Sequence, residues 1–156
     1  MEGGTPVASA AGQLGERGDR ITEEDIRRLV DRFYARARRD PFLAPVFAQA
    51  LGESDEAWAR HLAILRDFWS SMMLTSGRYH RDPFSAHLHL PRIEAAMFDR
   101  WLALFGETCA ELFEPDVAEA FRLKAERIAR SLRLGLFERL PARRGNAAIK
   151  HPATGA

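Results

Sequence analysis

Apolar residues recur at three- and four-residue intervals along four stretches of this chain, the spacing of one buried helical face. The first stretch is Ile26, Leu29, Val30, Phe33, Tyr34 and Ala37, opened by Thr22 as N-cap with Asp25 at the capping-box spacing. Asp40-Pro41 ends it, because the residue before a proline avoids the helical region. A short turn-rich piece, Pro41 to Phe47, is expected next. Ser54 then caps a second long helix, with Asp55 and Glu56 well placed in its first turn. Its stripe is Trp58, His61, Leu65, Phe68 and Met72, widened by Leu62 and Trp69. Gly77 to Pro91 has weak periodicity and two prolines, and holds one short helix at most, around Phe84 to Leu88. A third long helix, about Ile93 to Leu112, lines up Phe98, Trp101, Phe105, Thr108 and Leu112. Glu114-Pro115 opens a fourth, which runs through Val117, Phe121, Ile128, Leu132 and Leu136 to Phe137. Nothing alternates with period two over a strand length. The pattern predicts an all-α architecture of four main helices, with a loop-rich stretch before the third.

Composition sharpens this in two ways. All ten Phe, all three Trp and both Tyr fall between Phe33 and Phe137, so one domain is expected over residues 21–140. Residues 1–20 and 141–156 are Gly-, Ala-, Ser-, Pro- and Arg-rich with little to bury, and are expected to be disordered extensions. The net charge of +1 resides in the C-terminal tail, whose Arg143, Arg144 and Lys150 outweigh a nearly neutral body. Arg36, Arg38 and Arg39 read as a solvated helix face, so neither a nucleic-acid nor a membrane partner is expected. No run approaches the ~18 apolar residues of a membrane span, and no signal peptide is visible. The single cysteine, Cys109, rules out an internal disulfide and a cysteine-cluster zinc site, reads as a small buried residue, and fits a cytoplasmic protein.

Five histidines are candidates for chemistry: His61, His80, His87, His89 and His151. His151 lies in the tail and His80 in a polar loop. His61 sits on an apolar stripe, where a lone histidine is ordinarily a satisfied core residue. His87-Leu88-His89 offers a His-x-His pair, yet no carboxylate or cysteine stands at a recurring ligand spacing for zinc. Tyr34 and Trp101 are polar-tipped aromatics at inward positions, and each needs a hydrogen-bond partner if buried. Singly, each reads as a core aromatic. Together they differ: three long helices each turn one polar tip inward, Tyr34, His61 and Trp101, among Phe33, Phe47, Leu65, Phe68, Trp69 and Phe98. A fourth, irregular segment offers His87. Donors facing a histidine across an apolar space is how a protein holds haem, with one side ligating iron and the other polarising a bound gas.

At this point the chain resembles the truncated haemoglobins, most closely their third group, found in bacteria, over about Ile21 to Leu140. The stretches that carry the resemblance are Phe33-Tyr34, Asp40-Pro41 through Pro45-Val46-Phe47, Trp58-Ala59-Arg60-His61, Phe68-Trp69, His87-Leu88-His89-Leu90-Pro91, and Phe98-Asp99-Arg100-Trp101-Leu102 on to Leu104-Phe105. Gly52 and Gly77 are single, which agrees with the absence of glycine-pair motifs in that group. The resemblance implies a two-over-two helical sandwich around one haem b, with its iron on His87. It matches Tyr34, His61 and Trp101 to the distal polar positions, Phe47 to the phenylalanine on the haem, and Leu65 to the apolar residue one turn past the distal histidine. Only one of His87 and His89 can face iron squarely, and the family match favours His87. Tyr79, Arg78 and Arg92 flank the loop and are candidates for the haem propionates.

The function that follows is a haem protein binding dioxygen and other small ligands: carbon monoxide, nitric oxide, cyanide or peroxide. Nitric oxide dioxygenation or a peroxidase-like reaction, fed by an unidentified reductase, are its enzymatic variants. Without a Cys-x-x-Cys-His site, haem attachment would be noncovalent. The rival class is a haem-free helical interaction domain.

Overall fold

A computed structural model describes residues 21–88, 90 and 93–138. Among them, helices are the regular structure: α1 Glu23–Ala37, α2 Ala44–Leu51, α3 Asp55–Leu74, α4 Pro83–Leu88, α5 Ala95–Leu112 and α6 Pro115–Phe137. The two extensions expected to be disordered, together with His89 and Arg92, lie outside the described residues.

The capping box at Thr22 forms in full. Its Oγ1 accepts from the Asp25 N–H at 3.1 Å, and the Asp25 carboxylate accepts from the Thr22 N–H at 3.0 Å. α1 buries Ile26, Leu29, Val30, Phe33, Tyr34 and Ala37, the stripe that the spacing predicts. Ser54 caps α3 by accepting from Ala57 at 3.2 Å, and α3 ends at Thr75, which takes the left-handed conformation at φ 56°. α5 begins two residues later than expected, at Ala95, since Glu94 is still extended.

One expectation is corrected. The turn-rich piece leads into a two-turn helix, α2, which supplies Phe47. Asp40 organises its start: Oδ1 accepts from the N–H groups of Phe42 at 3.0 Å and Leu43 at 3.1 Å, while its main-chain carbonyl accepts from Ala44 at 2.8 Å. Pro45 sits in the first turn, where its missing N–H leaves no bond unmade. Eight residues are too few for a helical period to stand out in a sequence.

α1 packs on α3 and α5, α5 on α6, α2 on α3, and α4 on α6. The core is an aromatic stack. Phe105 lies between Trp69, at 5.0 Å and 18°, and Trp101, at 4.9 Å and 10°. Phe33 meets Tyr34, Trp101 and Phe105 edge-on at 4.7, 5.0 and 5.3 Å. Such pairs add about 0.5–1.5 kcal/mol each beyond the area they bury. A smaller cluster of Phe98, Ala129 and Leu132, joined by Phe84 and Leu136, seats α4. There Gly135 is essential to the fit, since a Cβ on it would fall 2.5 Å from the Phe84 ring.

The arginine face expected to be solvated is only partly so. Arg36 donates to Thr108 Oγ1 at 3.2 Å and pairs with Glu111, tying α1 to α5. Arg38 lies over the Trp58 ring, 4.3 Å from its centroid. Arg39 is exposed. Cys109 is fully buried, and that burial pushes its thiol up to about 12. Among the described residues no helix is long and apolar enough to cross a membrane.

Candidate functional site

α1 delivers Tyr34 to the interior, where it is 5% exposed. Its ring meets Phe47 of α2 at 5.9 Å and His61 of α3 at 6.0 Å, both edge-on. Burial raises the phenol well above its ordinary value, and the neighbouring Trp101 indole only partly offsets that rise. Tyr34 therefore keeps its proton and has an O–H to donate.

His61 is half-buried, and its ring meets both Tyr34 and Trp58, the latter at 5.8 Å and 86°. Burial first, and the charge of His87 second, hold it below its ordinary pKa. His87 is half-buried on α4, with its Nδ1 2.6 Å from the Pro83 carbonyl. A carbonyl only accepts, so Nδ1 carries a proton, and in the neutral ring Nε2 keeps the lone pair. The Phe98 ring lies 6.3 Å away, tilted by 33°.

The remaining predicted residues divide. Phe33 and Phe47 join the Tyr34–His61–Trp101 cluster. Leu65 is half-buried on α3, one turn beyond His61, at the margin of the core. Phe68 carries Tyr79, edge-on at 5.1 Å, and the Tyr79 N–H donates to Ser71 Oγ at 3.0 Å. Trp69 is brought into the core stack on Phe105 rather than beside His61. Arg78 is engaged elsewhere, with Glu23 at 2.6 Å and Asp67 at 3.4 Å. A separate groove between α2 and the start of α5, lined by Pro41, Phe42, Pro45, Val46, Ile93 and Met97, shares no residue with the cluster.

Three residues were not legible as part of the site: Trp58, Arg38 and Arg100. Trp58 stands on the α3 stripe three positions before His61, and only the structure sets the two rings in contact. Arg38 stands four after Tyr34, a spacing that puts it on the same side of α1. Arg100 binds Asp40 from α5 at 2.7 and 2.6 Å, a pairing across 60 residues that no local pattern announces.

No family model matches the chain. It is 36% identical over 109 residues to the group 3 truncated haemoglobin ctb of Campylobacter jejuni, a match covering 70% of this chain and 86% of that protein. The crystal structure of a group III truncated haemoglobin from Campylobacter jejuni has the same fold, with a TM-score of 0.73 at 34% identity, over 76% of this chain and 93% of that one. On that identity and coverage, and on a helical fold that agrees with them, the chain belongs to the group 3 truncated haemoglobins.

Proposed function

We propose that this chain binds haem b between α3 and α4, with His87 on the iron and with Tyr34, Trp101 and His61 around the ligand. The observation that carries the reading is the hydrogen bond from His87 Nδ1 to Pro83. Metal-ligating histidines almost always donate their other ring N–H to a carbonyl or carboxylate, which fixes the tautomer and aims the lone pair. The donor set opposite fits as well: a buried phenol that stays protonated, an indole N–H and a neutral imidazole. When bound, haem supplies an iron that takes small ligands and exchanges electrons with them.

The rest is work for the chain. Phe33, Phe47, Leu65 and Phe98 keep water from the ligand space. Tyr34 and Trp101 donate to the outer end of a ligand that carries negative charge. Each such bond contributes ~1.5–3 kcal/mol, and release slows about tenfold per 1.4 kcal/mol. Dioxygen is the ligand this arrangement retains best, with carbon monoxide, nitric oxide and cyanide as further ligands. Retention suits redox chemistry better than delivery, so nitric oxide dioxygenation or peroxide reduction, with an electron donor yet to be identified, is the reaction class. His61 is the group that can hold or give a proton there. Tyr79, with Arg92, supports the propionates.

Absorption spectra of the purified protein in ferric, ferrous and carbon monoxide-bound forms test this. A Soret band with a ferrous shift on carbon monoxide is expected. Its absence after haem addition would leave a haem-free helical interaction domain.

A further inference from the structure

His61 has no hydrogen bond to its ring among the described residues; two aromatic rings hold it instead. Tyr34 meets it at 6.0 Å and Trp58 at 5.8 Å, both nearly perpendicular. Trp58 is itself only 3% exposed. Phe47 lies against it at 5.6 Å, and the Arg38 guanidinium covers its face at 4.3 Å. The spacing is what joins these contacts. Tyr34 and Arg38 are four apart at the end of α1, and Trp58 and His61 are three apart at the start of α3. An i,i+4 pair on one helix thus clasps an i,i+3 pair on the other.

We propose that Arg38 and Trp58 are positioning residues for His61, holding its ring at the rim of the ligand space and so setting how fast small ligands enter. The proposal rests on the haem reading for the location of that space. His61 is half-buried, so it touches both solvent and the aromatic cluster. Trp58 packs against the ring and so limits its movement, and the Arg38 guanidinium on the indole face steadies Trp58 in turn. Planarity matters, since a guanidinium stacks on an indole face where an ammonium only approaches as a point charge.

The test uses the full-length haem-loaded protein in the ferrous, carbon monoxide-bound state. Nuclear Overhauser contacts between the Trp58 indole and the His61 ring are recorded beside ligand rebinding after flash photolysis. Arg38→Gln is expected to weaken those contacts and to speed bimolecular rebinding about fivefold, the factor matching an ordinary cation–π contact. Arg38→Lys should fall between. In a His61→Leu background, Arg38→Gln should change rebinding no further. Unchanged contacts and rates in Arg38→Gln would overturn the clasp, and so would an equal acceleration in the His61→Leu background, which a role not exerted through His61 would give. If the chain takes up no haem, the haem reading fails separately, and the same contacts read on the haem-free chain still decide whether Arg38 holds Trp58 against His61.

Discussion

Asp40 and Arg100, 60 residues apart, join the start of α2 to α5 through two bonds to one carboxylate oxygen, Arg100 Nε at 2.7 Å and its terminal nitrogen at 2.6 Å. The other oxygen gathers the N–H groups of Phe42 and Leu43. The buried carboxylate thereby fixes where α2 starts, and α2 carries Phe47 against Tyr34 and Trp58. One polar residue thus seats the helix that carries Phe47 into the aromatic cluster.

Replacing Asp40 with Ala should lower stability by about 2 kcal/mol, from lost caps and a lost charge-assisted bond. The effect should depend on pH. Burial alone would raise the Asp40 carboxyl, but the Arg100 guanidinium and then the Leu43 and Phe42 N–H groups outweigh it and hold it below its usual range. A folded pKa below the unfolded one, about 3.9, gives stability that is present above that value and lost as pH falls through the folded pKa. Denaturant melts of both proteins from pH 7 down to pH 3 should therefore converge toward the acid end. A constant gap across that range would contradict the assignment.

Two helical glycines should respond with opposite signs. Gly106 of α5 has open space where a Cβ would stand, so Gly106→Ala should stabilise by up to ~1 kcal/mol. Gly135→Ala places a Cβ 2.5 Å from the Phe84 ring and should destabilise by ~1–3 kcal/mol. Because Phe84 anchors the helix that carries His87, Gly135→Ala should also weaken haem retention, measured by transfer to an acceptor apoprotein. Retention equal to that of Gly106→Ala would show that the Phe84 seat does not govern His87.

His87→Ala should abolish the Soret band or shift it to that of a haem without its proximal imidazole, while His89→Ala should retain it. Spectra of the two variants side by side decide between the histidines. The reverse pattern would move the ligand to His89.

Tyr34→Phe keeps the ring and removes one donor. Dioxygen release should quicken by about tenfold or more, equivalent to ~1.5 kcal/mol, and carbon monoxide release should change less because that ligand gathers less charge. Stopped-flow displacement measures both. The ferric protein should also react more slowly with peroxide in Tyr34→Phe and in His61→Leu. Unchanged dioxygen release would remove Tyr34 as the principal donor, and unchanged peroxide rates in both variants would leave a binding protein rather than an enzyme.

Helix identity was legible wherever a stripe was long enough to repeat. The six buried residues of α1 and the capping residues Thr22 and Ser54 could be read directly, since amphipathic period and cap chemistry are local properties. So could the inward placement of Tyr34, which follows from its place in the stripe. α2 escaped because eight residues hold barely two periods and because its start is set by a side chain whose main partner lies on α5.

The site divides along the same line. Residue type and helical phase picked out Tyr34, His61 and Trp101 as inward polar tips and His87 as a candidate on a short helix in a loop-rich stretch, and the resemblance made the first three candidate distal groups. Only the tertiary structure decided that Trp69 stacks in the core on Phe105, that Arg78 is taken by Glu23 and Asp67, and that Arg38 crosses from α1 to cover Trp58. The physical reason is range. Helical period and capping act over three or four residues of chain, whereas a guanidinium or an indole chooses its partner among whatever the packing of separate helices brings within a few ångströms.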